Sequence, residues 1–377
     1  MFVGGSASAQ PVPRRGADAQ TGPGARPVNA EVVVLAPSAS GMGTVLLGVD
    51  PNRAGEARVI AVLPETGGVL RELGGLAAIV SPAGGTLRVF NRDGVQTLFI
   101  ESESGFGRDG RGPARFSPGL VDAVVDETGM VYSTHALDGR VYWLDPATGT
   151  SGVLADLGEL SGEPDLVRDP GMMKIVDGRL YVQVRRNEDT LVLERLSSLA
   201  VIELATGELV DADPLRDGAQ AIELTGPWPR LKMRIEPGTG RLLVSATGPN
   251  SHSFKQLGGI EAVNLETLAS EGYVAEEVAN MSAVIPTGEG VGFVMGHTDI
   301  VASSHLARYE GGFTVGPDVA FELFAFMESF AYSPWHGLLF MPTADGRLRV
   351  IDEVSERDRW EVALPGRAID MELMIWR

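Results

Sequence analysis

The 377-residue chain contains no cysteine, which excludes disulfide bonds, thiolate metal sites and cysteine nucleophiles together. No stretch approaches the roughly 18 uninterrupted apolar residues that a membrane-spanning helix needs. Basic residues are fewer than acidic ones, and the formal net charge is −19 at pH 7. The phosphates of nucleic acids and the head groups of anionic lipids would repel such a chain. We therefore expect that the chain does not bind nucleic acid and has no membrane-spanning segment.

Recognised catalytic motifs are missing as well. No G-x-S-x-G elbow occurs in a strand–turn–helix setting. The run Gly105-x-Gly107-x-x-Gly110 matches a dinucleotide fingerprint only in its spacing, because no helix follows it and no βαβ unit surrounds it. No motif in the sequence indicates a particular reaction. An enzymatic role is left open, and a non-enzymatic role is favoured.

The chain does contain a repeated phrase. Asp138-Gly-Arg-Val-Tyr-Trp-Leu-Asp145 has counterparts that begin at Asp177, Thr239 and Asp345. Each is a tight Asp-Gly or Thr-Gly turn followed by branched and aromatic residues, which predicts a hairpin turn that leads into a strand. With 48 Gly and 23 Pro to supply turns, such a repeat indicates an all-β repeat architecture.

Strand signals group into units of four with a period of roughly 50 residues, as in the blades of a β-propeller. Three strands near the start and one at 368–376 are left over, and together they make a blade closed by both termini. This closure removes the sheet edge of an open ring. We predict a single all-β propeller of seven four-stranded blades, with six and eight as the alternatives.

The Asp-Gly-Arg-Val/Leu-Tyr strands and the Asp145-Pro-Ala-Thr-Gly149 turn resemble those of the broad YVTN and quinoprotein-like class of seven-bladed propellers. The resemblance covers nearly the whole chain and implies the fold. The WD dipeptide, the G-H…W-D pair and the S-x-D-x-G-x-T-W box of related families are all lacking. The resemblance therefore implies no catalytic residue.

Residues 1–30 differ in composition from the remainder, which we assign to the propeller (31–377). They are rich in Gly, Ala, Pro, Ser and Gln, as disordered tails are. Ala7-Ser8-Ala9 has the A-x-A form of a signal-peptidase site, although the apolar stretch before it is too short for a signal peptide. We expect a disordered tail or signal-peptide remnant, and a periplasmic or extracellular location.

Long links are predicted to collect on one face of the ring. Links between second and third strands and links between blades open on that face, and they include residues 101–119, 156–170, 185–195, 211–228, 247–257 and 297–304. Long loops on a rigid scaffold are where binding groups usually lie. The candidate binding residues on this face are Arg108, Arg111, Arg115, Trp228, Arg230, His252, Lys255 and His297, of which Arg230 lies just after the loop that ends at Trp228. Arginine suits carboxylate or phosphate partners, although Glu103 and Asp109 lie nearby.

A metal site is the alternative use of the same loops. Three histidines and a carboxylate (His252, His297, Asp299 and His305) could hold one divalent ion at the mouth of the channel, as in metal-dependent lactonase or lyase propellers. Surface or hydrogen-bonded histidines are the more common outcome of such a pattern. We expect no cofactor, with this single divalent ion as the alternative.

Two further groups bear on the interior. Asp122 and Asp126 flank an inner strand, and they would share one face if that strand were regular; a turn role is favoured for Asp126. Glu328 precedes another inner strand. We assign the aromatic residues Tyr142, Trp143, Phe340 and Trp360 to packing between blades.

The sequence favours an exported, non-enzymatic propeller that binds another protein or a cell-envelope component through its loop-rich face. The runner-up is a metal-dependent hydrolase or lyase acting on a small molecule such as a lactone. A quinone-cofactor dehydrogenase is weaker still, because the five tryptophans are scattered rather than grouped to stack on a cofactor.

Overall fold

The structure is a computed structural model. It describes residues 29–53, 55–81, 85–101, 120–135, 139–160, 168–186, 197–226, 232–246, 259–275, 281–298, 303–310, 314–323 and 329–376. The described strands form seven four-stranded antiparallel sheets, which are the seven blades of a β-propeller. The predicted fold and blade count are confirmed.

The blades follow one another along the chain. From the central channel outward, blade 1 contains β28 (Asp370–Ile375), β1 (Ala30–Pro37), β2 (Thr44–Val49) and β3 (Ala57–Leu63). Blade 2 contains β4 (Val69–Glu72), β5 (Ala77–Ser81), β6 (Thr86–Phe90) and β7 (Gln96–Glu101). Blade 3 contains β8 (Leu120–Val125), β9 (Val131–His135), β10 (Arg140–Asp145) and β11 (Thr150–Asp156). Blade 4 contains β12 (Arg168–Val176), β13 (Arg179–Arg186), β14 (Ser198–Glu203) and β15 (Ile222–Glu223).

The remaining three blades complete the ring. Blade 5 contains β16 (Arg234–Ile235), β17 (Arg241–Ala246), β18 (Gly259–Asn264) and β19 (Ala269–Ala275). Blade 6 contains β20 (Met281–Gly288), β21 (Val291–Thr298), β22 (Ser303–Glu310) and β23 (Thr314–Leu323). Blade 7 contains β24 (Ala331–Ser333), β25 (Leu338–Pro342), β26 (Arg347–Asp352) and β27 (Asp358–Ala363). Within the described residues the helical structure is one 3-10 turn, Leu157–Glu159.

Local sequence explains the tight hairpins. Asp177 and Gly178 alone join β12 to β13, and both have positive φ, 50° and 78°. Two such residues form the type I′ turn, whose twist matches that of the flanking strands, and Asp-Gly is a preferred pair for it. The hairpin predicted from this Asp-Gly pair is confirmed.

Apolar packing between neighbouring blades supplies the core. Buried side chains form seven clusters, and each cluster fills one of the seven seams of the ring. Phe340 is buried in the seam between blades 7 and 1, where Trp360 packs against it, and Trp143 packs into the seam between blades 3 and 4. The packing role predicted for these three aromatic residues is confirmed. Tyr142 instead meets His135 edge-on within blade 3, at 5.3 Å between ring centroids.

The two termini close the ring in blade 1 through a buried carboxylate. β1 pairs with both β2 and β28. Glu31 on β1 accepts hydrogen bonds from Arg58 on β3 (2.6 Å) and from Arg92 of blade 2 (3.0 Å). It also accepts from the indole Nε1 of Trp376, just beyond β28, at 2.9 Å. One side chain therefore ties the first strand to the last and to the next blade.

Two strand predictions are wrong in detail. The sequence predicts the fourth strand of blade 4 as a short strand near Glu208. In the structure this strand is split: Leu209 makes a single bridge to Ile202, and pairing with β14 resumes only at β15. Residues 211–221 form an excursion between these points, closed by a hydrogen bond from the amide of Ala212 to the carbonyl oxygen of Gln220. The loop predicted at 211–228 is thus divided by a strand.

The second error concerns the loop predicted at 297–304. Strand β21 continues to Thr298 and β22 begins at Ser303, because the register of this hairpin runs unbroken from Val291↔Glu310 to Thr298↔Ser303. The link between the two strands is only residues 299–302. His297 and His305 therefore lie on strands and not on a long loop.

Candidate functional site

The links on the two faces of the ring differ in length. On the face where first strands connect to second strands and third to fourth, the links contain seven residues or fewer, apart from residues 204–221 of blade 4, which include the excursion. On the opposite face, five links contain ten residues or more: 102–119, 157–167, 187–197, 224–233 and 247–258. These five follow one another from the end of blade 2 to blade 5, interrupted only by the short link 136–139. We call them the long-link arc.

Most predicted binding residues fall within the long-link arc by position. Arg108, Arg111 and Arg115 belong to link 102–119, Trp228 and Arg230 to link 224–233, and His252 and Lys255 to link 247–258. All seven lie outside the described residues, as do Glu103, Asp109, Asp299 and Glu328. His297 lies on β21, outside the arc.

The candidate metal ligands are described only in part. The backbone register pairs His297 with Ser304 and pairs His305 with Gly296, so the two histidines are not cross-strand partners. Within the described part of the chain, no three His, Asp or Glu side chains form a group that could hold a metal ion. A site that includes His252 and Asp299 stays a prediction.

A cavity of about 420 Å³ lies in the central channel of the propeller. Five inner strands and the residues next to them line it, and they come from blades 1 to 5. Four cationic side chains (Arg71, Lys174, Lys232, Arg234) and two carboxylates (Glu72, Glu372) reach its wall. The wall is therefore cationic although the protein as a whole carries a formal charge of −19.

The same local pattern places these charges. Four inner segments have a charged residue next to a buried apolar one: Leu70-Arg71, Met173-Lys174, Met233-Arg234 and Met371-Glu372. Successive side chains of a strand point to opposite faces. When the apolar residue enters a seam, its neighbour faces the channel. In each of these inner segments, therefore, one side chain packs in a seam between blades and the next side chain places a charge on the channel.

Glu372 is the centre of an ion-pair group in the channel. Its two oxygens accept hydrogen bonds from Arg234 at 2.8 and 2.9 Å, and Lys232 approaches one of them at 3.1 Å. Lys232 also binds Asp370 at 2.8 Å. Burial by itself would raise the pKa of Glu372, but Arg234 and Lys232 outweigh it and hold the pKa at about 2. Blades 1 and 5 are therefore connected across the channel.

Arg71 and Asp122 form a second ion pair. The guanidinium of Arg71 binds both carboxylate oxygens of Asp122, at 2.6 and 3.0 Å. Asp122 also accepts the backbone N–H of Met173 at 2.7 Å, and its side chain is fully buried. The pair spans blades 2, 3 and 4. Asp122 therefore holds the ring together and has no oxygen directed at a cation from solution.

Asp126 has the turn role that the sequence favours. It lies beyond the end of β8 and accepts hydrogen bonds from the amides of Thr128 and Met130 and from the Tyr132 hydroxyl. The pairing of β8 with β9 is regular from Asp122 to Val125, since its one shift lies between Leu120 and Asp122. Asp126 follows the last paired residue, so a shared face for Asp122 and Asp126 stays a prediction.

Lys174 is the exception among the channel cations. Arg71, Lys232 and Arg234 each bond to a carboxylate, whereas the ammonium group of Lys174 makes no hydrogen bond or ion pair with any residue that the structure describes. Burial lowers the pKa of this lysine, and the positive charges of Arg234 and Arg71 lower it further, against the opposing effect of Glu372 and Glu72. The described wall of the channel thus contains three paired cations and one without a described partner.

The sequence carried a signal for this site that was missed. The chain contains only three lysines, Lys174, Lys232 and Lys255, and two of them line the cavity. The other clue is the charge within an otherwise apolar inner strand. Neither clue identifies a partner, because the partners come from strands far away in the sequence.

The similarities between this chain and known proteins are of low sequence identity. No protein family matches the chain, and no curated protein matches it in sequence. Among solved structures, the chain is similar to one from a nidogen/laminin complex, at 10% identity and a TM-score of 0.46, over 92% of this chain and 98% of that one.

A second similar structure is the PQQ-bound form of an aldose sugar dehydrogenase from Streptomyces coelicolor. It has 12% identity and a TM-score of 0.43, over 67% of this chain and 84% of that one. The ring of seven blades is evident from the sheets themselves. It confirms, at the level of fold, the predicted resemblance to the YVTN and quinoprotein-like propellers.

Proposed function

We propose that this propeller is a non-enzymatic binding protein that recognises another protein, or another component outside the cytoplasm, through the long-link arc. The observation that carries the proposal is the arrangement of link lengths. Five long links gather around blades 2 to 5 on the same face, whereas the opposite face has short turns in every blade but one. Binding residues on a rigid scaffold concentrate in such loops.

The residue types in the arc support recognition of a macromolecule. The arc contains Trp228, Arg230 and the three arginines of link 102–119. Tryptophan and arginine are enriched among the residues that dominate the energy of protein interfaces. A scaffold whose blades are held by seven apolar seams would present them with little change in the backbone.

The location stays part of the proposal. The A-x-A pattern at residues 7–9 supports export to the periplasm or the extracellular medium. The structure adds one finding: among the described residues, no helix has the length and apolar character needed to cross a membrane.

Two matched double variants test the face that binds. Trp228→Ala with Arg230→Ala removes an apolar and a cationic side chain from the long-link arc. Val354→Ala with Arg359→Ala removes the same types from the opposite face, where the side chain of Val354 is 90% exposed. A partner is captured from the envelope fraction on the wild-type protein, purified, and its affinity is measured for all three proteins.

The proposal predicts at least about a tenfold loss of affinity for the arc variant and no loss for the opposite-face variant. Equal affinities, or a loss only in the opposite-face variant, would contradict it.

Metal analysis by plasma mass spectrometry distinguishes the binding function from the alternative of a metal-dependent hydrolase or lyase. Near-stoichiometric divalent metal that is lost on His252→Ala and His297→Ala, together with turnover of a lactone or ester, would replace the binding function by catalysis.

A further inference from the structure

The central channel offers a second candidate site. The cavity is lined mainly by the middles and later halves of the inner strands, which lead toward the face with short turns. Lys232 and Met233, the last two residues of link 224–233, also line it, so the cavity adjoins one end of the arc. Its volume of about 420 Å³ is within the range of small-molecule sites, roughly 300–1,000 Å³.

The carboxylates in and beside the channel each accept hydrogen bonds from described residues. Both oxygens of Glu372 are bonded to Arg234, both oxygens of Asp122 are bonded to Arg71, and Asp370 accepts from Lys232 and from the amide of Leu70. The fourth acid, Glu72, accepts the amide of Gly75 at 2.6 Å.

These bonds leave the ammonium group of Lys174 without a partner among the described residues. A half-buried ammonium group without a counter-ion is unfavourable, because it has lost part of its hydration and gained no bond. Two arginines nearby add repulsion, which the charges of Glu372 and Glu72 oppose. An anion that entered the cavity would give the ammonium group a direct partner.

The other residues that line the cavity are apolar in type: Leu73, Val124, Val125, Met173, Ile175, Met233, Leu373 and Ile375. The side chains of Met173 and Met233 are buried in seams, so apolar side chains can face the cavity only from the other six. A phosphate or sulfate ion would leave this surface uncovered. A carboxylate with an apolar body would satisfy the lysine and remove apolar surface from water at the same time.

We infer that the channel binds a small monocarboxylate with an apolar body, whose carboxylate group pairs with Lys174 and whose body lies against the apolar wall. Arg71 and Arg234 contribute attraction at longer range while they keep their structural partners. The inference goes beyond the proposed function, and either can fail without the other, because the arc variants keep every described residue that lines the cavity.

Calorimetric titration of the full chain with three probes tests the site. Hexanoate has both the charge and the apolar body, hexanamide has the body without the charge, and acetate has the charge with almost no body. Each probe is titrated into the wild type, Lys174→Met and Lys174→Arg. Methionine keeps the volume of the side chain and removes the charge, whereas arginine keeps the charge. Arg216→Gln, at an exposed ion pair on the excursion of blade 4, is the matched control.

We expect hexanoate to bind the wild type and the control at least about tenfold more tightly than either acetate or hexanamide. Lys174→Met should weaken hexanoate at least about tenfold, since a hydrogen bond to a charged group contributes that much, and Lys174→Arg should retain most of the affinity. Equal hexanoate affinity in the wild type and Lys174→Met would overturn the inference. So would equal affinities for hexanoate and hexanamide, or no hexanoate binding at all.

A second measurement covers the case in which Lys174→Met does not fold. Acylation of Lys174 in the wild type is followed by peptide mass spectrometry with and without hexanoate. The inference predicts protection of Lys174 while the acylation of Lys255 is unchanged. Acylation of Lys174 at the same rate with and without hexanoate would overturn it.

Discussion

Lys174 in blade 4 and Arg234 in blade 5 occupy equivalent positions but have different surroundings. Lys174 lies opposite Tyr181 and Arg234 lies opposite Leu243, and each of these is the last residue of a Gly-Arg-Leu-x run. Each cation follows a buried methionine. Arg234 forms a bidentate ion pair with Glu372, whereas Lys174 has no partner among the described residues. Equivalent positions in the repeat therefore serve two purposes: one cation holds the ring together and the other is left for a ligand.

The largest expected effect comes from removing the acid that Arg234 uses. Glu372→Leu leaves the buried guanidinium unpaired, which should lower the free energy of unfolding by about 3–5 kcal/mol. Urea unfolding followed by circular dichroism measures the change. The double variant Glu372→Leu with Arg234→Met removes both charges and should recover most of the loss. A loss below about 1 kcal/mol in the single variant would mean that this pair does not hold the ring.

Acid should produce the next largest effect through the same carboxyl group. The pKa of Glu372 is about 2 in the folded protein, against an ordinary value of 4.5. A depressed pKa stabilises the fold above the unfolded value, and this contribution is lost as the pH falls from 4.5 toward 2. It amounts to roughly 3 kcal/mol, at about 1.4 kcal/mol for each unit of pKa.

The paired double variant is the control for the acid effect. Glu372→Leu with Arg234→Met should lose less stability than the wild type between pH 4.5 and about pH 2. Its unfolding midpoint in urea is compared with that of the wild type across this interval. Parallel curves for the two proteins would contradict the assignment of the effect to Glu372.

Closure of the ring gives a smaller effect of the same kind. Burial alone would raise the pKa of Glu31, but Arg58 and Arg92 lower it below its ordinary value. Glu31→Gln keeps the shape and removes the charge, and it should lower the free energy of unfolding by about 1–3 kcal/mol. Hydrogen exchange should rise first in β28, since Trp376 shares this carboxylate. Exchange that rises uniformly over all blades would contradict a role in closure.

Lys174→Met should have the smallest effect, and its sign differs. Removing a cation without a partner should leave the free energy of unfolding unchanged or raise it by up to about 1 kcal/mol. The pKa of Lys174 is lowered in the folded state, so the unfolded chain binds more protons and the wild type gains stability as the pH rises toward 10.5. The difference between the two proteins should therefore shrink at high pH. A clear loss of stability in Lys174→Met would show that Lys174 also has a structural partner.

The sequence was sufficient to predict the ring because its signals are local. Asp177-Gly178 specifies its own turn, and the unpaired strand at the C-terminal end requires the three unpaired strands at the start. Blade 4 was harder to predict, since the sequence indicates a short fourth strand near Glu208. The excursion at 211–221 becomes visible only when β15 returns to pair with β14.

The candidate site could not be predicted because its bonds join distant parts of the chain. Lys232 and Glu372 are 140 positions apart, and Arg71 and Asp122 are 51 apart. A charged residue within an apolar strand can be recognised in the sequence, but its partner depends on how the blades pack. Whether such a charge is paired, as for Arg234, or left without a described partner, as for Lys174, is decided by that packing.

Lysine-specific NMR would test most directly whether the channel holds a cation that is available to a ligand. Protein grown with lysine labelled at 13Cε gives three side-chain resonances, since the chain has three lysines, and the resonance missing from Lys174→Met identifies Lys174. The account predicts that Lys174 titrates with a pKa below the ordinary lysine value of 10.5 and that hexanoate shifts its resonance. A resonance that titrates at the ordinary value and does not move when hexanoate is added would contradict it.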